Sequence, residues 1–216
     1  MASASMADIK SLRQRTGAGI LDCKKALTES DSVEAAIDWL RTKGIAKAAK
    51  KASRAATEGL VYSYIHGTGR IGVLVEINCE TDFAAMNDQF KSFVHDIAMH
   101  IAAAAPEYVS IDDVPDEIVA KEKAVQIART MDEGKPEHIA ERIVVGRLDK
   151  WKKGLCLNEQ PFVKDDSKTI GDFTKDTIAV IGENIQIRRF SRYVLGEGLV
   201  KKEDDFAAEV AKMSGN

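Results

Sequence analysis

The run Cys79-Glu80-Thr81-Asp82-Phe83-Ala84 sets a carboxylate beside a phenyl ring just after a stretch of strand-like alternation. A large apolar ring at such a tip, next to an anionic anchor, suits insertion into another macromolecule better than bond chemistry. Bond chemistry has few other candidates. The histidines are His66, His95, His100 and His138, the cysteines Cys23, Cys79 and Cys156, and no CxxC or HExxH occurs. His95 and His100 lie five residues apart, so a helix does not present them on one face as a metal-ligating pair. Neither GxGxxG nor GxxxxGK[ST] is present, which removes the usual phosphate-cradling loops. No enzymatic activity, metal or cofactor is expected. A Cys79 nucleophile is the remaining enzymatic reading, and no motif around Cys79 supports it.

The bulk composition agrees with a binding protein. Hydrophobic residues make up 44% and charged residues 30%, a balance that forms a core and keeps the surface solvated. No apolar run reaches the roughly 18 residues that span a bilayer. The first six residues lack the basic start and apolar core of a signal peptide, so a cytoplasmic location and no membrane partner are expected. The cysteines read as small buried hydrophobes. Charge is unevenly placed. Residues 1–56 carry 11 Lys and Arg against 6 Asp and Glu, and residues 57–216 carry 20 against 28, so +5 and −8 lie behind the net −3. A basic N-terminal part on an acidic body implies two surfaces with different electrostatic tasks.

The elements that position the opening run follow from periodicity. Ile9 and Leu12 share a face of a first helix, which Gly17 ends. Ile20, Cys23, Ala26 and Leu27 line a second. Asp31 and Glu34 read as a capping box for a third that buries Val33, Ala36, Ile37 and Leu40 and stops at Gly44. This gives a three-helix module over 1–44 and a solvated helical linker over 45–57 carrying Lys47, Lys50, Lys51 and Arg54. An α+β core follows over 58–216. Leu60, Tyr62 and Tyr64, then Ile71, Val73, Val75 and Ile77, alternate around the turn His66-Gly67-Thr68-Gly69 as a β-hairpin. Phe90, Phe93, Val94, Ile97, Ala98 and Ile101 form one helical stripe, with Met99 opposite it and His100 on its edge. A charged helical hairpin occupies 115–153, and residues 154–169 read as irregular. A helix from Ile170 to Ile181 stops at Gly182, and Ile185 to Leu195 is a third strand. The fold class expected is α+β: three N-terminal helices, then a three-stranded antiparallel sheet with packed helices.

Several segments in order resemble the elongation factor Ts family. They are Leu12-Arg13-Gln14-Arg15-Thr16-Gly17-Ala18-Gly19 with Asp22-Cys23-Lys24-Lys25-Ala26-Leu27; Gly69 to Glu76 leading into Asn78-Cys79-Glu80-Thr81-Asp82-Phe83; His95 to Ile101; Gln160-Pro161-Phe162-Val163; and Ile181 to Arg189. The resemblance covers nearly the whole chain. It implies a ubiquitin-associated-like N-terminal module, a projecting helical hairpin, and exchange of guanine nucleotide on elongation factor Tu during translation elongation. It further implies that Asp82 and Phe83 intrude near the GTPase magnesium site, with Thr81 and Ala84 flanking them. Leu12, Arg13, Thr16, Gly17 and Lys24 would meet the GTP-binding domain, and Met99 and His100 would touch the partner as well. Longer members carry two related half-cores. This chain has room for one, so it is similar to members that work as homodimers. The family usually places valine after the Phe, and Ala84 stands there instead; a slightly looser tip with function retained is expected.

The competing reading is an RNA- or ribosome-associated protein using the basic residues of 47–54. The body is acidic and shows no stacking platform of aromatics among basic residues, so no direct nucleic-acid contact is required by the preferred reading.

Overall fold

The computed structural model describes residues 5–199. Ser5 caps α1 (Met6–Thr16) by accepting from the Asp8 amide, and Gly17 ends it at φ 67°, where a side chain would be strained. With α2 (Ile20–Glu29) and α3 (Val33–Lys51) it encloses a small core of Ile9, Leu12, Cys23, Ala26 and Ala36. Two expectations change here. Ile20 lies outside that core and is exposed. The cap of α3 is Ser32, whose hydroxyl accepts from the Ala35 amide at 3.0 Å, rather than Asp31.

A larger correction concerns Gly44 and the linker. α3 does not stop at Gly44 but runs unbroken to Lys51. Gly44 is buried because α8 (Ile170–Ile181) crosses it closely: a Cβ there would lie 3.1 Å from the Cβ of Ala179. Ala48, one turn on, belongs to the main core. The Ala-rich stretch therefore buries a small-residue seam against α8, and the absence of large apolar residues disguised it as solvated.

The sheet has the order β1-β2-β5, from β1 (Glu58–His66), β2 (Ile71–Cys79) and β5 (Ile185–Val194), antiparallel throughout. α5 (Asp88–Ala104) packs across β1 and β2, and its Phe90, Phe93, Val94, Ile97, Ala98 and Ile101 share one core with Val73, Val75 and Ile77 of β2 and Ile185 and Ile187 of β5. Every residue of the expected stripe is buried. α8 closes the same side; Phe173 stacks on Phe162 at 4.7 Å between ring centroids and tilts against Phe93 at 5.1 Å. The three cysteines are free and buried, as expected. The α+β class is that read from the periodicities.

α6 (Asp116–Asp132) and α7 (Glu137–Leu155) form the helical hairpin and pack chiefly on each other. Arg147 joins them, donating to Thr130 at 3.0 Å and to Glu133 at 3.2 Å. Residues 154–169 are more regular than expected: a short 3-10 turn leads into β3 (Pro161–Phe162) paired with β4 (Asp165–Thr169). Two- and five-residue strands are too short to print a period on the sequence.

The close crossing at Gly44 makes a test. Gly44→Leu should lower unfolding free energy by about 1–3 kcal/mol, the usual cost of overpacking, although leucine is the better helix former. Urea denaturation measures it, and an unchanged or higher midpoint would show that α8 does not depend on that approach.

Candidate functional site

The segment between β2 and α5 is not the open loop tip that the sequence implied. It is one helical turn, α4 (Asp82–Met86). Thr81 caps it, its hydroxyl accepting from the Ala84 amide at 3.2 Å. Ala84 and Ala85 point inward and join the main core. Successive helical residues turn by about 100°, so with 84 and 85 facing in, positions 83 and 86 face out together. Phe83 is 81% exposed and Met86 63%. The ring thus stands on solvent at the end of a buried strand, with a second apolar side chain beside it. Met86 was not singled out from the sequence, although its i, i+3 spacing from Phe83 was the available signal.

Asp82 is exposed, and one carboxylate oxygen accepts from the Phe83 amide at 2.9 Å. Among the described residues that amide is its only hydrogen-bond partner. Ala84 packs under the turn with almost no exposed surface, so the position is a packing one. Cys79 at the end of β2 is buried, and its thiol donates to the Thr81 carbonyl at 3.1 Å. Burial, reinforced by the Glu183 carboxylate, pushes that thiol's pKa up. Its burial sets the thiol out of a substrate's reach, the opposite of the exposed, acidified setting of a cysteine nucleophile.

Residues expected to meet a partner fall into three groups. Thr81, Asp82, Phe83 and Ala84 lie together on the turn just described. Arg13 and Lys24 are exposed on α1 and α2, and the Thr16-Gly17 corner lies beside Val180 of α8. Leu21 is exposed one helical turn from Lys24, an apolar neighbour the sequence reading passed over. Among the described residues no hydrogen bond or ion pair joins Arg13, Thr16, Gly17 or Lys24 to α4.

The third group has little or no surface. Leu12 is fully buried in the small N-terminal core, because it supplies the inner face of α1. Met99 is half-buried rather than opposite the core. His100 is 0% exposed, not on an edge. Its Nε2 bonds Gln160 Oε1 at 3.0 Å and its Nδ1 accepts from the Val163 amide at 3.3 Å. The segment 160–163 covers α5 from outside the helix, and no property of α5 alone could reveal that cover.

The basic stretch 47–54 is largely occupied within the chain. Lys47 pairs with Asp22 at 2.8 Å, Lys51 donates to the Gly182 carbonyl, and Arg54 reaches Glu80 at 3.5 Å. Only Lys50 of the four remains without such a partner among the described residues. Lys47, Lys51 and Arg54 thus staple this helix end to other parts of the chain. Among the described residues no group of three or more His, Cys, Asp and Glu could hold a metal, and no helix is long and apolar enough to cross a membrane.

A family model described as Elongation factor TS matches residues 23–197. The chain belongs to the elongation factor Ts family. It is 58% identical over 214 residues to elongation factor Ts of Geobacter sulfurreducens, covering 99% of each chain. It is 61% identical over 204 residues to that of Carboxydothermus hydrogenoformans, covering 94% of each. To that of Acetivibrio thermocellus it is 60% identical over 205 residues, 94% of this chain and 95% of the relative. The chain and these relatives cover each other almost end to end, so they are of nearly equal length.

His100 gives a pH signature. Burial holds its pKa below the ordinary 6.5, with the Gln160 bond opposing weakly. The unfolded chain takes up the proton first as pH falls, so the stability from neutral His100 is complete above 6.5 and is lost below it, down to the folded pKa. Urea midpoints should fall between about pH 8 and about pH 5, and His100→Gln should flatten that slope. Equal slopes would show that His100 is not the buried titrating group.

Proposed function

We propose that this chain is a guanine nucleotide exchange factor: it binds elongation factor Tu in its GDP form and promotes GDP release during translation elongation, in the cytoplasm. The exposed ring of Phe83, on a turn whose other side is anchored in the core, carries this reading. Family membership supplies the partner. The part played by the chain is binding, without a bond made or broken, so it is not an enzyme.

The energetics define what the turn must do. A factor shifts the nucleotide equilibrium only by preferring the nucleotide-poor state of the GTPase to the GDP state. By linkage, GDP weakens the factor's grip by the same ratio. In this reading Phe83 is driven into the partner near the magnesium site, which gains apolar contact only when the pocket opens. Met86 widens the apolar contact. Asp82, with hydrogen-bonding capacity beyond the Phe83 amide, holds backbone amides at the N-terminal end of the displaced partner helix, where negative charge is favoured. Arg13, the Thr16-Gly17 corner and Lys24 dock α1–α3 on the GTP-binding domain. Leu12 and His100, with no surface of their own, and the half-buried Met99 support those contacts from behind.

Phe83→Ala should cut stimulated GDP release by about thirtyfold, or ~2 kcal/mol, with the fold retained. Asp82→Ala should cost less, and Asp82→Asn should recover part of the loss. Stopped-flow release of fluorescent GDP from elongation factor Tu measures all three. Release at the wild-type rate with Phe83→Ala would overturn the wedge.

The active species is proposed to be a homodimer. The outer face of the sheet carries Val61 and Ile65 of β1, Leu74 of β2 and Tyr193 of β5, all exposed, with Gly72 lying between Ile65 and Tyr193. At the centre a bulge opposes both Arg188 and Arg189 to Glu76, which binds them at 2.7 and 2.6 Å and whose carboxyl pKa they lower. A second copy offers the same apolar face, which a two-fold axis pairs with itself. Tyr193→Asp with Leu74→Asp should convert the dimer to the 23.6 kDa monomer by light scattering. A wild-type monomer at micromolar concentration with full exchange activity would overturn the dimer.

A further inference from the structure

Three chain segments far apart in sequence meet at the root of α4: the end of α3, the end of β2 and the α8–β5 connection. Gly182 ends α8 at φ 88° and turns Glu183 back toward β2. Glu183 Oε2 accepts from the amides of Glu80 at 3.1 Å and Thr81 at 3.0 Å, and its Oε1 accepts from the Thr81 hydroxyl at 2.6 Å. The arrangement is reciprocal, because Glu80 Oε1 accepts from the Asn184 amide at 2.6 Å. Asn184 is buried and donates to the Arg54 carbonyl at 2.8 Å. The β2 ladder ends at Cys79, so the next two amides have no strand partner, and Glu183 supplies the acceptors they lack.

We propose that Glu183 is a positioning residue for nucleotide exchange, fixing the turn that presents Phe83. This rests on the reading of Phe83 as the wedge. The Thr81 hydroxyl has one hydrogen, which goes to Glu183, and its lone pair caps α4 by accepting from Ala84. Orienting that hydroxyl therefore orients the helical turn, and with it the ring. Without Glu183 the turn samples more conformations, and the ordering cost falls on the step in which the ring enters its partner. Lys51 and Arg54 tie the end of α3 into the same junction, so the docking helices and the wedge share one frame.

The test is a double-mutant comparison in GDP release, reading both the maximal rate at saturating factor and the half-saturating concentration. Glu183→Ala should lower the maximal rate about fivefold, and in the Phe83→Ala background by less than about twofold, because the effect passes through the ring. The half-saturating concentration should shift less than about threefold, since the Lys51 and Arg54 ties that hold α3 at the junction do not use the Glu183 side chain. Glu183→Gln keeps one acceptor oxygen and should fall between; if the alanine variant does not fold, the glutamine variant carries the same comparison. Losses that multiply in the two backgrounds, an unchanged maximal rate, or a change confined to half-saturation would each overturn the positioning role while leaving Phe83 as the wedge. If Phe83→Ala alone exchanges at the wild-type rate, the wedge reading falls, and the positioning role with it.

Discussion

The structure depends on burial of one stripe, the six apolar residues of α5, against one face of a three-stranded sheet. Both β2 and α5 are pinned by that burial, and only residues 80–87 join them. A short connection between two fixed ends has few conformations available. Here it takes a capped helical turn whose inward positions must be small, and Ala84 and Ala85 meet that need. Phe83 is exposed because the same helical phase that buries the alanines turns it outward. Its exposure is a consequence of core packing and not a failure of it.

The same geometry concentrates polar partners where the sheet ends. Amides beyond the last ladder bond need acceptors, and a carboxylate from the α8–β5 connection supplies them. Lys51 is partly desolvated there, and burial lowers its pKa while Arg54 adds repulsion. A cation in such a place is kept by its contact with the Gly182 carbonyl and by the nearby carboxylates of Glu80 and Glu183. The basic run thus serves the junction. The acidic body and basic N-terminal helices, read from composition as two tasks, are stitched together at this point.

Much of this was legible in the chain. Strand alternation, the α5 stripe, the Gly17 and Gly182 stops and the helical hairpin all depend on local periodicity or on backbone freedom, which sequence expresses directly. Gly44 misled for the same reason. A glycine reads as a stop when only its own helix is considered, and here it marks the close approach of a second helix. The short β3–β4 pair left no period to read. His100 was placed by its phase on α5, which says nothing about the segment 160–163 that covers it.

What the sequence by itself determined is the longer helices and strands and the presence of an acid–aromatic pair at the end of a strand. Those are properties of neighbours along the chain. Which of the residues around that pair have surface was decided only by tertiary structure. Leu12 and His100 lost theirs to packing, and Met86 and Leu21 kept theirs. Glu183 reached Thr81 across 102 positions of sequence. Contacts at that separation arise from the sheet's strand order and the crossing of α3 over α8, and no local pattern encodes either.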